Sequence, residues 1–246
     1  MELTVIGYLG GYPAHGNATS SYLLQSDGFN LLIDCGSGAL LSLEEVIDPL
    51  KLNGLILTHY HHDHTADVGV LQYYWQLHEK RYTEPVLPIY GHRLDKANFA
   101  GLDWPNSTKA VAYDPEKSLS VGPFEISLLK TQHPVPAFAL RIKERDTGKI
   151  LVFTADTKYF PELTDFVKGA DLLMTDTNFF ADKTGQQWHM TSTESGKLAH
   201  DGWVHQLLLT HLPADGDLRQ LKDEAQHSAG EDLPVMVAQQ HLTINI

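Results

Sequence analysis

The sequence predicts an α/β fold on three observations. Short apolar runs bounded by glycine or turn residues alternate with segments of helical spacing. A histidine or aspartate follows one such run after another, which gathers polar side chains at one edge of a sheet, where open α/β layers place their sites. The 246 residues, 42% of them hydrophobic, supply a large core within the single-domain range of layered folds. Residues 1–246 therefore read as one domain without repeat, low-complexity tract or linker.

Each element has its own warrant. Met1-Glu2-Leu3-Thr4-Val5-Ile6 has no basic region ahead of an apolar one, so it reads as a first strand and not as a signal peptide. Asn30-Leu31-Leu32-Ile33 is an apolar run that ends at Asp34-Cys35-Gly36, and Leu55-Ile56-Leu57 reads as a buried strand bounded by Gly54. A helix is predicted from Ala66 to about Lys80, because Val68, Leu71 and Trp75 are spaced to share a face. Asn98 to Pro115 is rich in Pro, Asn, Asp and Gly and reads as irregular chain, either a cover for the site or a surface connection. Phe124 to Leu129 alternates as a strand does and leads to His133. Phe138 to Glu144 and Lys149 to Ala155 read as two strands joined by a turn at Asp146-Thr147-Gly148. Thr191 with Glu194 three residues on makes a capping box, so a helix begins there. Leu207-Leu208-Leu209-Thr210 is a further apolar strand, and His211 follows it.

The chemistry is concentrated in His59-Tyr60-His61-His62-Asp63-His64. Alternation turns His59 and His61 toward one metal, and Asp63 with His64 reaches a second. Imidazoles with carboxylates suit zinc, and also manganese or iron, better than calcium or magnesium. Further ligands of the same type, His133, Asp156 and His211, each follow an apolar strand, which argues against a histidine-rich surface loop. Asp34 stands in the same kind of place and reads as a carboxylate that orients a histidine ligand.

His59-x-His61-x-Asp63-His64, then His133, Asp156 and His211, resembles the metallo-β-lactamase superfamily, and Gly7-Tyr8-Leu9-Gly10-Gly11 and Asp34 fit its first strands. The resemblance runs from about residue 2 to 246. It implies a metallo-β-lactamase-like αββα four-layer sandwich, with two packed mixed β-sheets flanked by helices. It also implies two divalent metal ions, zinc by preference. His59, His61 and His133 hold the first, Asp63, His64 and His211 the second, and Asp156 bridges them. Such a pair about 3.5–4 Å apart shares a hydroxide and holds the oxygen of the group under attack, so a hydrolase is expected.

His189-Met190-Thr191, followed by Glu194-Ser195-Gly196-x-Leu198-Ala199, resembles the histidine-threonine segment of the ribonuclease Z branch, whose members cleave phosphodiesters. Gly16-Asn17-Ala18-Thr19-Ser20-Ser21 is similar to the branch's opening loop. The resemblance makes His189 a catalytic candidate that assists the leaving oxygen. By position just ahead of a helix, His189 also stands where free N–H groups favour an anion. Asp176, at the end of Leu172-Leu173-Met174-Thr175, aligns with the acidic residue that orients this histidine, although the branch usually shows glutamate there. Asp63 is a second candidate for handling a proton, besides its ligand role.

One departure narrows the substrate. The branch's tRNA-processing enzymes carry a long arm between the third and fourth ligand motifs, whereas here a predicted hairpin fills most of the 22 residues between His133 and Asp156. The formal charge is −13 and the 18 Lys and Arg are scattered. Neither feature suits long or folded nucleic acid, although acidity that merely aids solubility explains the same charge. The expected activity is a phosphodiesterase on a small or cyclic phosphodiester. Alternatives are a carboxylic ester, lactone or thioester hydrolase, a non-catalytic metal-binding module, and redox chemistry.

Smaller expectations complete the reading. No stretch approaches the roughly 20 apolar residues that span a bilayer. The single cysteine, Cys35, forms no internal disulfide and reads as a small buried residue, which makes cytoplasmic residence the default. Relatives in the resembling branch often pair, which makes a homodimer an expectation of the resemblance. His62 is expected to point away from the ligands, while His15 and His92 lie in loops that border the pocket or merely adjoin it. Tyr8, Tyr12, Trp104 and Trp188 either stack on a base or fill the core.

Overall fold

Two seven-stranded sheets lie face to face in the computed structural model, which describes residues 1–246. The first contains β1 (Glu2–Gly7), β2 (Ser21–Ser26), β3 (Phe29–Ile33), β4 (Gly54–Ile56), β5 (Leu87–Gly91) and β6 (Thr108–Ala112). The second contains β7 (Leu119–Val121), β8 (Phe124–Lys130), β9 (Phe138–Glu144), β10 (Ile150–Phe153), β11 (Leu172–Asp176), β12 (Leu207–Thr210) and β13 (Val235–Val237). The last strand, β14 (Thr243–Asn245), returns to pair antiparallel with β1. Each sheet is mixed: β3 to β6 run parallel in the first, and β10 to β13 in the second.

Three apolar layers follow from the alternation of side chains along the strands. Between the sheets, Leu3, Val5, Tyr22 and Leu24 meet Phe124, Ile126, Phe138 and Phe153. The outer face of the first sheet packs on α1 (Ala39–Glu44) and, past the short α2 (His62–Thr65), on α3 (Val68–Leu77) through Leu43, Leu71 and Trp75. Beyond α4 (Lys96–Ala100), the outer face of the second sheet is covered by α5 (Pro161–Val167), α6 (Ser192–Asp201) and α7 (Leu218–Ala229). Helix, sheet, sheet, helix is the four-layer sandwich that the resemblance implies.

Two elements depart from expectation. The helix expected from Ala66 to Lys80 is shorter at both ends, Val68–Leu77, because Asp67 stands outside the α conformation at ψ 1°, its carboxylate accepting the Leu40 N–H, and His78 is extended. Val68, Leu71 and Trp75 do share the buried face. The stretch from Asn98 to Pro115, expected to be irregular, contains the edge strand β6, since five backbone positions find a parallel ladder on β5. Ladder pairing of this kind is a long-range contact that local composition does not register.

The helix pair α6 and α7 approaches closely at Gly196, where a Cβ would stand 2.1 Å from the Ala225 carbonyl oxygen. Gly196→Ala is expected to lower unfolding free energy by about 1–3 kcal/mol, read as a lower urea midpoint at unchanged slope. An unmoved midpoint would show that α7 yields without cost.

Candidate metal centre

Every sequence-predicted ligand lies at one edge of the sandwich, at or just beyond the ends of strands that run the same way. The chain leaves β4 through Leu57 and Thr58 into His59 and His61, and α2 then carries Asp63 and His64. His133 follows β8, Asp156 follows β10, Asp176 ends β11 and His211 follows β12. The turns there are sharp: Asp34, Ala155 and His211 hold φ of 57°, 50° and 51°. Non-glycine residues adopt this left-handed region at a cost that the surrounding structure must over-determine.

Two groups of ligand atoms form around Asp156. Its Oδ2 faces the first, 3.6 Å from His59 Nε2 and 3.8 Å from His133 Nε2. His61 Nδ1 completes that group, 3.0 Å from His133 Nε2. Its Oδ1 faces the second, 3.1 Å from His64 Nε2 and 3.4 Å from His211 Nε2. Asp63 Oδ2 joins it 3.1 Å from His211 Nε2, and the Gly11 N–H donates to the same oxygen at 2.7 Å. Thus one carboxylate divides its two oxygens between two clusters of imidazole nitrogens.

The donor set fits divalent cations. His59 Nε2, His64 Nε2 and Asp156 Oδ1 are buried and have no hydrogen-bond partner. Orphaned buried groups cost about 1–3 kcal/mol each, a cost that coordination removes. Burial and the neighbouring imidazoles hold His59 well below the usual histidine range, and burial chiefly lowers His61 and His133. The first group is therefore neutral, the form that binds metal. Burial also opposes charge on His64 and His211, but Asp156 with Asp34 and Asp176 outweighs it, raising His64 to about 10 and His211 well above its ordinary range. Asp156 and Asp63 are lowered despite burial, through the same histidines. This second group demands positive charge, which protons supply until a cation displaces them.

Two buried carboxylates set the tautomers. Asp34 accepts from the Thr58 N–H at 2.8 Å and from Thr58 Oγ1 at 2.9 Å. Thr58 Oγ1 in turn accepts from His59 Nδ1 at 3.0 Å. The other ligand group is tied to the same side chain, since His64 Nδ1 donates to Asp34 Oδ2 at 2.8 Å. Asp176 repeats the arrangement: His211 Nδ1 lies 3.1 Å from Oδ1, and His189 Nδ1 lies 2.8 Å from Oδ2. His189 stacks on His211 at 5.1 Å between ring centroids, with its Nε2 making no bond within the chain. Sequence reasoning anticipated a contact between Asp176 and His189 but missed the grip on His211, and it missed Thr58 altogether. The only signal for Thr58 was its place between the strand and His59.

One expectation about His189 is corrected. The start of α6 offers less to an anion than its position implies, because most of its backbone donors are taken and only the Thr193 N–H is left. Thr191 N–H and Glu194 N–H close the capping box, at 2.9 Å and 3.2 Å, and Ser192 N–H donates to the Phe179 carbonyl at 2.8 Å. The box instead anchors the segment that carries His189. Among the remaining histidines, His62 is exposed, His15 lies in a cleft away from the ligands, and His92 is buried beside Tyr60. Cys35 is buried beneath the site, its N–H donating to the His64 carbonyl at 2.8 Å.

Comparison with known proteins agrees with this geometry. Residues 29–212 match the family described as the beta-lactamase superfamily domain. YhfI, a probable metallo-hydrolase of Bacillus subtilis, is 45% identical over 92% of this chain and 93% of its own length. Its crystal structure superposes with a TM-score of 0.93 over 99% of this chain and 98% of that one, at 41% identity. A ribonuclease Z of Thermoplasma volcanium is 23% identical over 95% of this chain and 96% of its own. A diphosphatase of the PhnP family shares the fold at a TM-score of 0.79, with 17% identity over 100% of this chain and 97% of that one.

Asp34→Asn keeps the shape but removes the charge that orders one ligand in each group. It is expected to weaken metal binding about 10–100-fold, measured by competition against a chromophoric chelator. Equal affinity in wild type and variant would show that packing alone orients His59 and His64.

Proposed function

The chain belongs to the beta-lactamase superfamily, and on that premise we propose that it is a dinuclear-metal phosphodiesterase acting on a small or cyclic phosphodiester. The observation that carries this reading is His189, held at 2.8 Å by Asp176 beside the two ligand groups, with its side chain 22% exposed and its Nε2 making no bond within the chain. A carboxylic ester hydrolase has no evident use for a second, carboxylate-oriented imidazole there. The distantly similar ribonuclease Z and the diphosphatase that shares the fold both act, by their names, on bonds at phosphorus.

Two divalent cations, zinc by ligand type, would when bound supply Lewis acidity that lowers the pKa of water and offsets charge on the oxygens of the group under attack. The chain's own residues do the rest. His59, His61 and His133 would hold one cation, Asp63, His64 and His211 the other, and Asp156 would serve both groups. His189 gives its Nε2 proton to the departing alkoxide. Asp176 holds the His189 ring and favours its charged form. Asp63, tied to the Gly11 N–H, serves as ligand and as a secondary candidate for handling a proton.

Two features support a small substrate over a folded nucleic acid. β9 and β10 with their turn take up most of the chain between His133 and Asp156, so no arm extends there. The net charge is −13. No helix is long and apolar enough to cross a membrane, and an aqueous substrate in the cytoplasm fits this reading.

Metal-loaded protein is expected to hydrolyse bis(p-nitrophenyl) phosphate. His189→Ala should lose about a hundredfold or more of kcat while elemental analysis finds its metals unchanged. If the loaded protein leaves that diester intact but opens lactones or thioesters, the ester hydrolase reading takes over.

The pH profile tests Asp176. Burial lowers His189, but the Asp176 carboxylate and Asp156 behind it outweigh burial and raise it. The acid form of His189 therefore persists to higher pH than an ordinary histidine, and kcat falls only as pH rises past that raised value. Asp176→Asn removes the negative charge, so the alkaline limb of kcat should move to lower pH. An alkaline limb that stays in place would show that His189 is not the titrating acid.

A further inference from the structure

A narrow cleft of about 120 Å³ opens beside the first ligand group, between the loop that carries His61 and the one that continues from His133 into Val135 and Pro136. Its remaining walls are Tyr60, His92, Asp95 and Asn98. His61 is thus a wall of the cleft and a member of the first ligand group.

His92 is the feature that the fold does not explain. Its side chain is 1% exposed, and neither ring nitrogen has a hydrogen-bond partner. The ring lies against Tyr60 at 4.4 Å and Phe138 at 5.4 Å, and Tyr60 Oη donates to the His92 backbone carbonyl at 2.7 Å. Only the Pro136 carbonyl approaches the ring, outside hydrogen-bond geometry. Even if that carbonyl is granted to one nitrogen, the other has nothing. A leucine or phenylalanine fills such a space without orphaned polar atoms, so the imidazole is there to meet something that enters the cleft.

Asp95 supplies the second half. Its Oδ1 accepts the Asn98 N–H at 3.1 Å and its Oδ2 accepts from Asn98 Nδ2 at 2.7 Å, which fixes the carboxylate at the start of α4. A carboxylate has about four lone-pair sites, so acceptor capacity remains. An acceptor-only carboxylate beside an imidazole that both donates and accepts matches a group that does both, which is a hydroxyl. Carboxylates read ribose hydroxyls elsewhere by the same chemistry. The volume falls well short of the roughly 300–1,000 Å³ of a pocket for a whole drug-sized ligand, so it takes one small ring and not an entire nucleoside.

We propose that this cleft is the subsite for the sugar of the scissile diester, with His92 and Asp95 reading a hydroxyl of its ring. The proposal rests on the phosphodiesterase reading, and it assigns substrate selection to residues outside the metal ligands. The diester is selected by its hydroxylated ring, and the base stays outside the cleft.

The test compares kcat/KM for uridine 5′-(p-nitrophenyl) phosphate and its 2′-deoxyuridine counterpart, with bis(p-nitrophenyl) phosphate as the sugar-free diester. Wild type is expected to favour the ribo ester about tenfold, the worth of one hydrogen bond to a charged group. His92→Phe and Asp95→Asn should each bring the ratio close to one, with metal content and melting temperature checking that they fold. Asp95 is partly exposed, so its variant stands even if the buried His92 substitution fails to fold. A flat ratio in wild type, or variants that keep its ratio, would overturn the subsite. So would a preference that follows the base when adenosine replaces uridine. If bis(p-nitrophenyl) phosphate and both nucleotide esters stay intact, the phosphodiesterase reading itself has failed and the subsite falls with it.

Discussion

The division of Asp156 between two clusters of imidazole nitrogens is the interaction on which the rest of the site depends. Each oxygen faces a different group, at 3.1–3.8 Å from the nitrogens. A single buried carboxylate at the end of β10 thereby fixes where both clusters must lie. The geometry is achievable only because β4, β8, β10 and β12 all deliver their ends to one edge, two sheets facing across a shared apolar layer. Sandwich packing sets the distance between sheets, and that distance sets the spacing of the ligands.

The two clusters around this carboxylate differ in charge. The first cluster is held neutral by burial, whereas the second is held protonated by Asp156, Asp34 and Asp176 until cations replace the protons. Asp34 and Asp176 do the same work from opposite sides. Asp34 orders His59 through Thr58 and His64 directly, and Asp176 orders His211 and His189. The second pairing links ligand geometry to proton transfer, since a change at Asp176 moves a metal ligand and a candidate acid together. Effects of substitution at Asp34, Asp176 and their histidines are therefore expected to be non-additive.

The protein's selectivity lies outside this machinery. Seven candidate ligands of this kind suit hydrolysis of many bond classes, so discrimination has to come from the walls around them. The capped start of α6 has most of its donors occupied. What remains is the imidazole and carboxylate of His92 and Asp95, which stand beside the His61 loop with unused bonding capacity.

Much of the site was legible in the chain because its signal is local. His59, His61, Asp63 and His64 fall within six positions, and His133, Asp156 and His211 each trail an apolar run that burial forces into a strand. The capping box at Thr191 and Glu194 was legible for the same reason, and the structure forms it. Tertiary structure alone decided the rest. Whether Asn98 to Pro115 is loop or edge strand depends on β5 offering a free ladder, and the break at Asp67 depends on the Leu40 N–H that its carboxylate reaches. The split of Asp156, the double grip of Asp176, the link through Thr58 and the orphaned ring of His92 are contacts between residues far apart in the chain. Local periodicity states which side chains a strand buries, but not what they meet, because that is settled by how two sheets and three loops pack against one another.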